Sequence, residues 1–427
     1  MSDFNAEVFQ NEFLPAGVGT VDAIVTVRSC GGGAAGAAAG QVDAVEIILI
    51  DTSGSMTEEG GRKWRAAQAA TQAAIDTIRD GVHFAVVGGH SAAYMIYPHE
   101  GLAVADAASR AEAKTRVSMT QPQGGTAMGT WLQAGAYLAG LRPQAMAHAI
   151  LLTDGKNQHE EPWVLDQSIA ACVGRFQCDA RGLGADWNIG ELRKIASALL
   201  GTVDIIPQPD DMVEAFTELT QKAMGRQVGS VDLRLWTPKG SSIQFVKQVA
   251  PSLEDLTSMA RNVDALTNDY PLGAWSGEEE RDYHVRVTVP VGAVGDERLA
   301  ARVTLRIDGV DQPAALVRAV WTDDEALSTR INREVAHYTG QAELADAIAE
   351  GLAARDAGDE ARATMKLGRA VQLATATGNT DTVRLLAKVV DVDDAGNGTV
   401  RLKREVEKTD EMALDVRSTR TVRVNKG

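Results

Sequence analysis

A chain of 427 residues is too long for one ordinary hydrophobic core, since single cores stop growing near 250 residues, so two to four domains are expected. Its 44% hydrophobic and 23% charged residues are those of a folded globular protein. A formal charge of -16 and a pI near 5.0 argue against nucleic acid and anionic membranes, polyanions that select clustered Lys and Arg.

The opening residues, MSDFNAEVFQNEFL, lack the basic start and apolar stretch of a secretion signal. The longest apolar runs, such as AVEIILI at 44–50, are strand-length and fall far short of the roughly 20 residues that cross a bilayer, so no membrane insertion is expected. The three cysteines, Cys30, Cys172 and Cys178, are odd in number and lack metal-type spacing. They suit a reducing compartment, with Cys172 and Cys178 as buried structural thiols, and the chain is read as cytoplasmic.

In segment 1–41, VDAIVTVRS at 21–29 reads as one strand, and GGGAAGAAAG at 31–40 as a flexible linker. A lone strand ahead of a linker needs partners elsewhere. Residues 42–225 alternate apolar strands with amphipathic helices. DAVEIILID (43–51) leads to a helix over 62–80, VHFAVVGG (82–89) and an edge strand AYMIYP (93–98). Helices near 107–118 and 127–141, AHAILLTD (147–154), a helix near 163–174, FQCDARGLG (176–184), a helix at 189–200, VDIIPQP (203–209) and a helix over 210–224 complete the run. Near-continuous Val, Ile and Leu in the strands implies burial on both faces, the pattern of a doubly wound α/β domain with a mostly parallel sheet.

Residues 226–324 switch to period-two segments, VDLRLWTP, SIQFVKQVAP, DYHVRVTVPV, RLAARVTLRIDG and ALVRAVWTD, which predict an antiparallel β-sandwich. The strand at 21–29 is expected to join it, making the α/β domain an insertion. Residues 325–390, rich in Ala, Leu and Glu and free of proline, predict a small C-terminal helical bundle. Residues 391–427 read as a mobile tail. In that tail Ser418, Thr419 and Thr421 stand beside Arg417, Arg420 and Arg423 like an exposed kinase substrate. A Ser/Thr kinase and a forkhead-associated (FHA) phosphothreonine reader would be its partners.

The chemistry gathers in three loops. DTSGSM (51–56) follows the first buried strand, GGT (124–126) precedes a helix, and TDG (153–155) caps another central strand. In doubly wound sheets ligands lie outside the carboxyl ends of the strands, where these loops fall. A hard dication such as Mg²⁺ takes about six oxygens, and hydroxyl ligands leave it net positive charge and an open position suited to a partner's Asp or Glu carboxylate. In this order, the three pieces resemble the metal-ion-dependent adhesion site of von Willebrand factor A (VWA) domains, D-x-S-x-S, then Thr, then Asp. The matching residues are Asp51, Ser53, Ser55, Thr126 and Asp154. The resemblance spans roughly 42–225 and implies a VWA/Rossmann-like fold, a site for Mg²⁺ with Mn²⁺ or Ca²⁺ as alternatives, and no catalysis. The order of domains also resembles intracellular bacterial VWA proteins. The run 181–209 is similar to stretches of actinobacterial and tellurite-resistance-associated VWA proteins, which implies a scaffold in a signalling or stress-response assembly.

Rival readings fit less well. An aspartic protease needs a second D-T-G loop in an all-β chain, and a phosphoryl-transfer D-x-D-x-T fails at Ser53. An EF-hand over 391–402 fails at Ala395 and Leu402, which leaves a solvated turn between a helix and a strand. The seven scattered histidines read as surface or satisfied core residues, Lys156 to Glu160 as a partner-selecting rim, and Asp186 or Asn188 as a helix cap. The alternative function is that of an accessory subunit for a separate AAA-type ATPase, as in metal chelatases, because the chain has no G-x-x-x-x-G-K-[ST] loop.

Overall fold

The computed structural model describes residues 3–30 and 43–424, so the Gly/Ala-rich run expected as a linker lies outside the described residues. The chain divides into two units, one of residues 35–229 and one of residues 1–34 together with 230–427.

The second unit opens with β1 (Asp3–Gln10), β2 (Phe13–Pro15) and β3 (Thr20–Cys30), so the N-terminal segment holds three strands where one was expected. Phe13 to Pro15 and the polar FNAEVFQN run lack a clean alternation of their own and become strands through their neighbours. β1 pairs antiparallel with β3, and β2 lies parallel to a strand at 320–322.

The α/β unit follows in sequence. It contains β4 (Ala44–Asp51), α1 (Glu58–Thr77), β5 (His83–Gly89), β6 (Ala93–Tyr97), β7 (Ala103–Val104), α2 (Ala107–Met119) and α3 (Met128–Gly140). Then come β8 (Met146–Thr153), α4 (Pro162–Cys172), β9 (Gln177–Leu183), α5 (Ile189–Ala198), β10 (Val203–Ile206) and α6 (Met212–Met224). The sheet runs β10-β9-β8-β4-β5-β6 and is parallel except for β6 and β7, which pair antiparallel with β5. Ile47, Ile48, Leu49 and Ile50 of β4 are all buried, as helices on both faces require. On one face Ile48, Ile50, Ile150 and Leu152 pack with Trp64, Ala67, Ile75 and Phe216 from α1 and α6. The strand order reverses at β4, between β5 and β8, so the crevice outside the ends of β4 and β8 is a topological switch point.

The other unit continues with β11 (Arg226–Trp236), β12 (Ser242–Ala250), β13 (Glu254–Asp255), β14 (Arg261–Asp264), β15 (Thr267–Ser276) and β16 (Glu279–Thr288). β17 (Glu297–Ile307) and β18 (Val310–Thr322) complete its two sheets, β1-β3-β16-β12-β13 and β14-β15-β11-β17-β18-β2. β3 pairs with β16 from Thr20 to Ser29, so the α/β unit enters the chain between two strands of this unit. Sequence patterning misses β15, whose TNDYPLGAWS is interrupted by Pro271 and by Gly273 at φ +76°. The two sheets meet through Phe4 edge-on to Trp275, ring centroids 5.5 Å apart.

The helices are α7 (Glu325–Ser328), α8 (Arg333–Asp356), α9 (Glu360–Thr377) and α10 (Thr380–Val389), followed by the hairpin β19 (Val390–Asp394) and β20 (Thr399–Leu402) and by α11 (Lys408–Arg417). This corrects the expectation of a mobile tail over 391–427 for its described residues 391–424; residues 425–427 lie outside them. Met412, Ala413, Leu414 and Val416 are buried, and Leu414 packs in one cluster with Leu344, Ile348 and Leu386. The helical spacing of those apolar residues is too short to stand out in a polar segment, yet it suffices once a groove waits for it. The 394–399 turn closes a hairpin and does not join a helix to a strand. Nor is the phosphorylatable stretch exposed as expected. Ser418 is buried with its hydroxyl on the Asp415 carbonyl, and Thr421 donates to the Val249 carbonyl at 2.6 Å. Among the described residues no helix is long and apolar enough to cross a membrane. All three cysteines are free thiols, and burial pushes Cys172 up to about 11.

Candidate functional site

β4 ends at Asp51, whose buried carboxylate is held on both oxygens. Oδ1 accepts the Ser53 amide at 2.7 Å, and Oδ2 accepts the Thr153 hydroxyl at 2.6 Å. The first bond turns the chain sharply, so that Ser53 and Ser55 follow on one side of a short 3₁₀ turn, Gly54–Thr57, with their hydroxyls 2.9 Å apart. From the end of β8, Asp154 meets them. Its Oδ1 accepts the Ser55 hydroxyl at 2.6 Å. Four of the five expected residues thus form one hydrogen-bonded set at the switch point.

Thr126 reaches the same place from the second loop. A Cβ added to Gly155 would lie 3.6 Å from Thr126 Oγ1 and 3.8 Å from Ser55 Oγ, so both hydroxyls border the space that the missing side chain leaves. The second loop is tied to the first by the Gly54 amide on the Gly124 carbonyl and the Gln123 amide on the Thr52 carbonyl. Gly124, at φ +74°, makes the turn that permits this.

Thr126 is fixed from the third loop by His159, whose Nδ1 accepts the Thr126 amide at 3.0 Å and whose own amide donates to the Thr126 carbonyl at 2.9 Å. The His159 ring lies where a Cβ on Gly125 would be. Beside it Asn157 accepts the Met128 amide and Glu160 the Gly129 amide, satisfying donors that the start of α3 leaves open. Three of the five residues read as a partner-selecting rim, Asn157, His159 and Glu160, therefore hold the loops together. His159 stays exposed while doing so, as do Lys156 and Gln158. Of the two cap candidates, Asn188 caps α5 by accepting the Glu191 amide.

Sequence reasoning missed two neighbours. Thr153, immediately before Asp154, orients Asp51, and its place in T-D-G was the available signal. Lys63 of α1 is buried with Nζ 2.9 Å from Asp154 Oδ2 and 3.0 Å from Glu58 Oε2. Nothing in the local pattern marks it, because the contact spans 91 residues. Burial alone would lower this ammonium, but Asp154 and Glu58 push it up to about 12. Burial and, next, the charge of Asp154 push Asp51 up to about 6, against the hydrogen bonds from Ser53 and Thr153.

The donor set is two carboxylates and three hydroxyls, all oxygen. Among the described residues no group of three or more His, Cys, Asp or Glu side chains is disposed to hold a metal ion, so a cation here would draw on the hydroxyls and water. Such chemistry fits a hard dication and not a soft one.

Comparison with known proteins agrees with this topology. The family description "von Willebrand factor type A domain" matches residues 46–205, and "von Willebrand factor type A C-terminal domain" matches 372–418, which covers all of α11. The chain is similar to the structure titled von Willebrand factor type A from Catenulispora acidiphila, with 49% identity over 99% of this chain and 98% of that one and a TM-score of 0.91. It shares its fold with the ArnB paralog VWA2 from Sulfolobus acidocaldarius, at 14% identity over 97% of each chain and a TM-score of 0.57. An uncharacterized protein of Synechocystis is 26% identical over 55% of this chain, and the match spans about half of that relative's length.

Proposed function

This chain belongs to the von Willebrand factor type A family, and on that premise we propose that it is a non-enzymatic recognition module that captures a partner's Asp or Glu carboxylate through a divalent cation. The observation that carries the reading is the convergence of Asp51, Ser53, Ser55 and Asp154 into one hydrogen-bonded oxygen cluster outside the ends of β4 and β8, with Thr126 beside it. Ser53, Ser55 and Thr126 would hold the cation through neutral hydroxyls, with Asp51 and Asp154 directing those hydroxyls and bound water. Mg²⁺ is the cation the donor set suits best, with Mn²⁺ and Ca²⁺ as alternatives. When bound, it supplies an electrophilic position for an incoming carboxylate.

One metal-carboxylate bond does not distinguish partners, so specificity falls to the surrounding surface. Trp163, 59% exposed on the first turn of α4 behind the third loop, is an aromatic side chain of the kind that anchors interfaces. We place the protein in the cytoplasm, in a signalling or stress-response assembly. Three unpaired thiols support the first part, and the resemblance to intracellular bacterial VWA proteins supports the second.

Thermal unfolding with EDTA, Mg²⁺, Mn²⁺ and Ca²⁺ tests the reading, beside Asp51→Ala and Thr126→Ala. A ligand at a hundredfold excess over its dissociation constant stabilises the native state by about 2.7 kcal/mol, or about 5–11 °C for a unit of this size. Wild type should respond to Mg²⁺ or Mn²⁺ and the variants should not. Wild type unmoved by every cation at millimolar concentration would sink the proposal.

A further inference from the structure

Lys63 contributes a positive charge inside a site built to attract one. We propose that it is a resident counter-cation that weakens divalent-metal binding. The inference rests on the reading of the three loops as a metal site.

The geometry is specific. The Lys63 side chain is 7% exposed and that of Asp154 is fully buried, and their ion pair is 2.9 Å long. With Ser55 on Oδ1 and Lys63 on Oδ2, both oxygens of Asp154 are engaged within the protein. Of the two carboxylates, only Asp51 therefore lacks a cationic partner, its two bonds coming from an amide and a hydroxyl. The backbone ahead of Lys63 is shaped to keep this pair. Glu59, Gly60 and Gly61 take φ of 54°, 65° and 77°, three left-handed residues in succession, before the regular helix begins. Two of the three are glycine, which adopts that conformation readily. Across this turn Glu58 reaches the ammonium, so Lys63 is clamped between a buried and an exposed carboxylate.

A fixed like charge in a buried site repels an incoming cation far more than it would in water. A partner's carboxylate would offset that repulsion, so metal and acidic ligand should favour each other's binding. The competing role is purely orienting: Lys63 would hold Asp154 in place as outer-shell groups do, and its removal would weaken metal binding. The two roles predict opposite signs.

Isothermal titration of Mn²⁺ into the full-length protein separates them. Lys63→Met, which keeps the length of the side chain without its charge, should bind Mn²⁺ about ten- to a hundredfold more tightly than wild type, the span over which outer-shell changes act. Lys63→Arg should stay near wild type. Glu58→Gln, on a side chain 61% exposed and safe for folding, should move the other way by about two- to threefold, since it removes a charge that offsets the ammonium. Lys63→Met binding no more tightly than wild type overturns the proposal and leaves the metal reading intact. If Lys63→Met does not fold, tighter or unchanged binding by Glu58→Gln overturns it. Wild type, Lys63→Met and Asp51→Ala alike failing to bind Mn²⁺ at millimolar concentration overturns the metal reading and this proposal with it.

Discussion

His148→Gln would probe a fully buried ionic network of the α/β unit. His148 of β8 lies in register with Glu46 of β4, and its ring is held on both sides, with Nδ1 2.9 Å from Glu46 Oε1 and Nε2 2.9 Å from Asp179 Oδ2 of β9. Asp179 Oδ1 accepts the Thr202 amide and hydroxyl, and Arg226 stands 3.8 Å from Oδ2. A carboxylate on each nitrogen favours the imidazolium form of the ring, which donates to both. Burial alone would lower its pKa, but Glu46 and Asp179 raise it above the ordinary value. Burial would raise Asp179, but His148 and the nearby arginines hold it well below the usual carboxylate range.

Glutamine preserves a donor but removes the charge, leaving Glu46 as a buried carboxylate without a cationic partner. Breaking a buried pair costs about 3–5 kcal/mol. Calorimetry of the full chain should find the α/β transition lowered by about 6–20 °C at pH 7. In the wild type the raised histidine contributes stability that is complete below its unfolded pKa, ~6.5, and is lost as pH rises through its higher folded value. A deficit under about 1 kcal/mol at pH 7, small even for an exposed charge pair, would refute the reasoning.

Two further tests address the metal site and the C-terminal helix. Asp51, pushed up to about 6, binds a proton in the folded state before the unfolded chain does, so in the absence of metal the folded state gains stability as pH falls below about 6. Metal competes with that proton, and the Mn²⁺-induced rise in melting temperature should be clearly smaller at pH 5 than at pH 7.5; an equal rise at both would mean that Asp51 is not at the metal. Leu414→Ala should cost about 2–5 kcal/mol, because Leu414 is fully buried. A loss within about 0.5 kcal/mol in a urea melt, as for a surface position, would mean that α11 does not pack as described.

The parts legible in the sequence are those whose cause is local. The α/β unit reads correctly because burial on both faces writes continuous apolar runs such as EIILI, and helices write a 3.6-residue period, within windows of ten to twenty residues. Asp51, Ser53 and Ser55 could be named because one short loop carries them, and Thr126 and Asp154 because each sits at the end of an element whose type was already clear.

Tertiary structure alone decided the rest. Lys63 looks like any basic residue on the first turn of an amphipathic helix until β8 brings Asp154 to it. Glu46 and His148 are 102 residues apart, and only the parallel register of β4 and β8 sets them side by side. β1 and β2 are strands because β3 and β18 offer them unpaired edges, and α11 is fixed because α8, α9 and α10 leave it a groove. A rim residue such as His159 binds the second loop for the same reason, since the Thr126 amide and carbonyl await it there. Ion pairs, sheet edges and grooves gain their energy from groups distant in sequence, so no window along the chain contains the two halves of any of them.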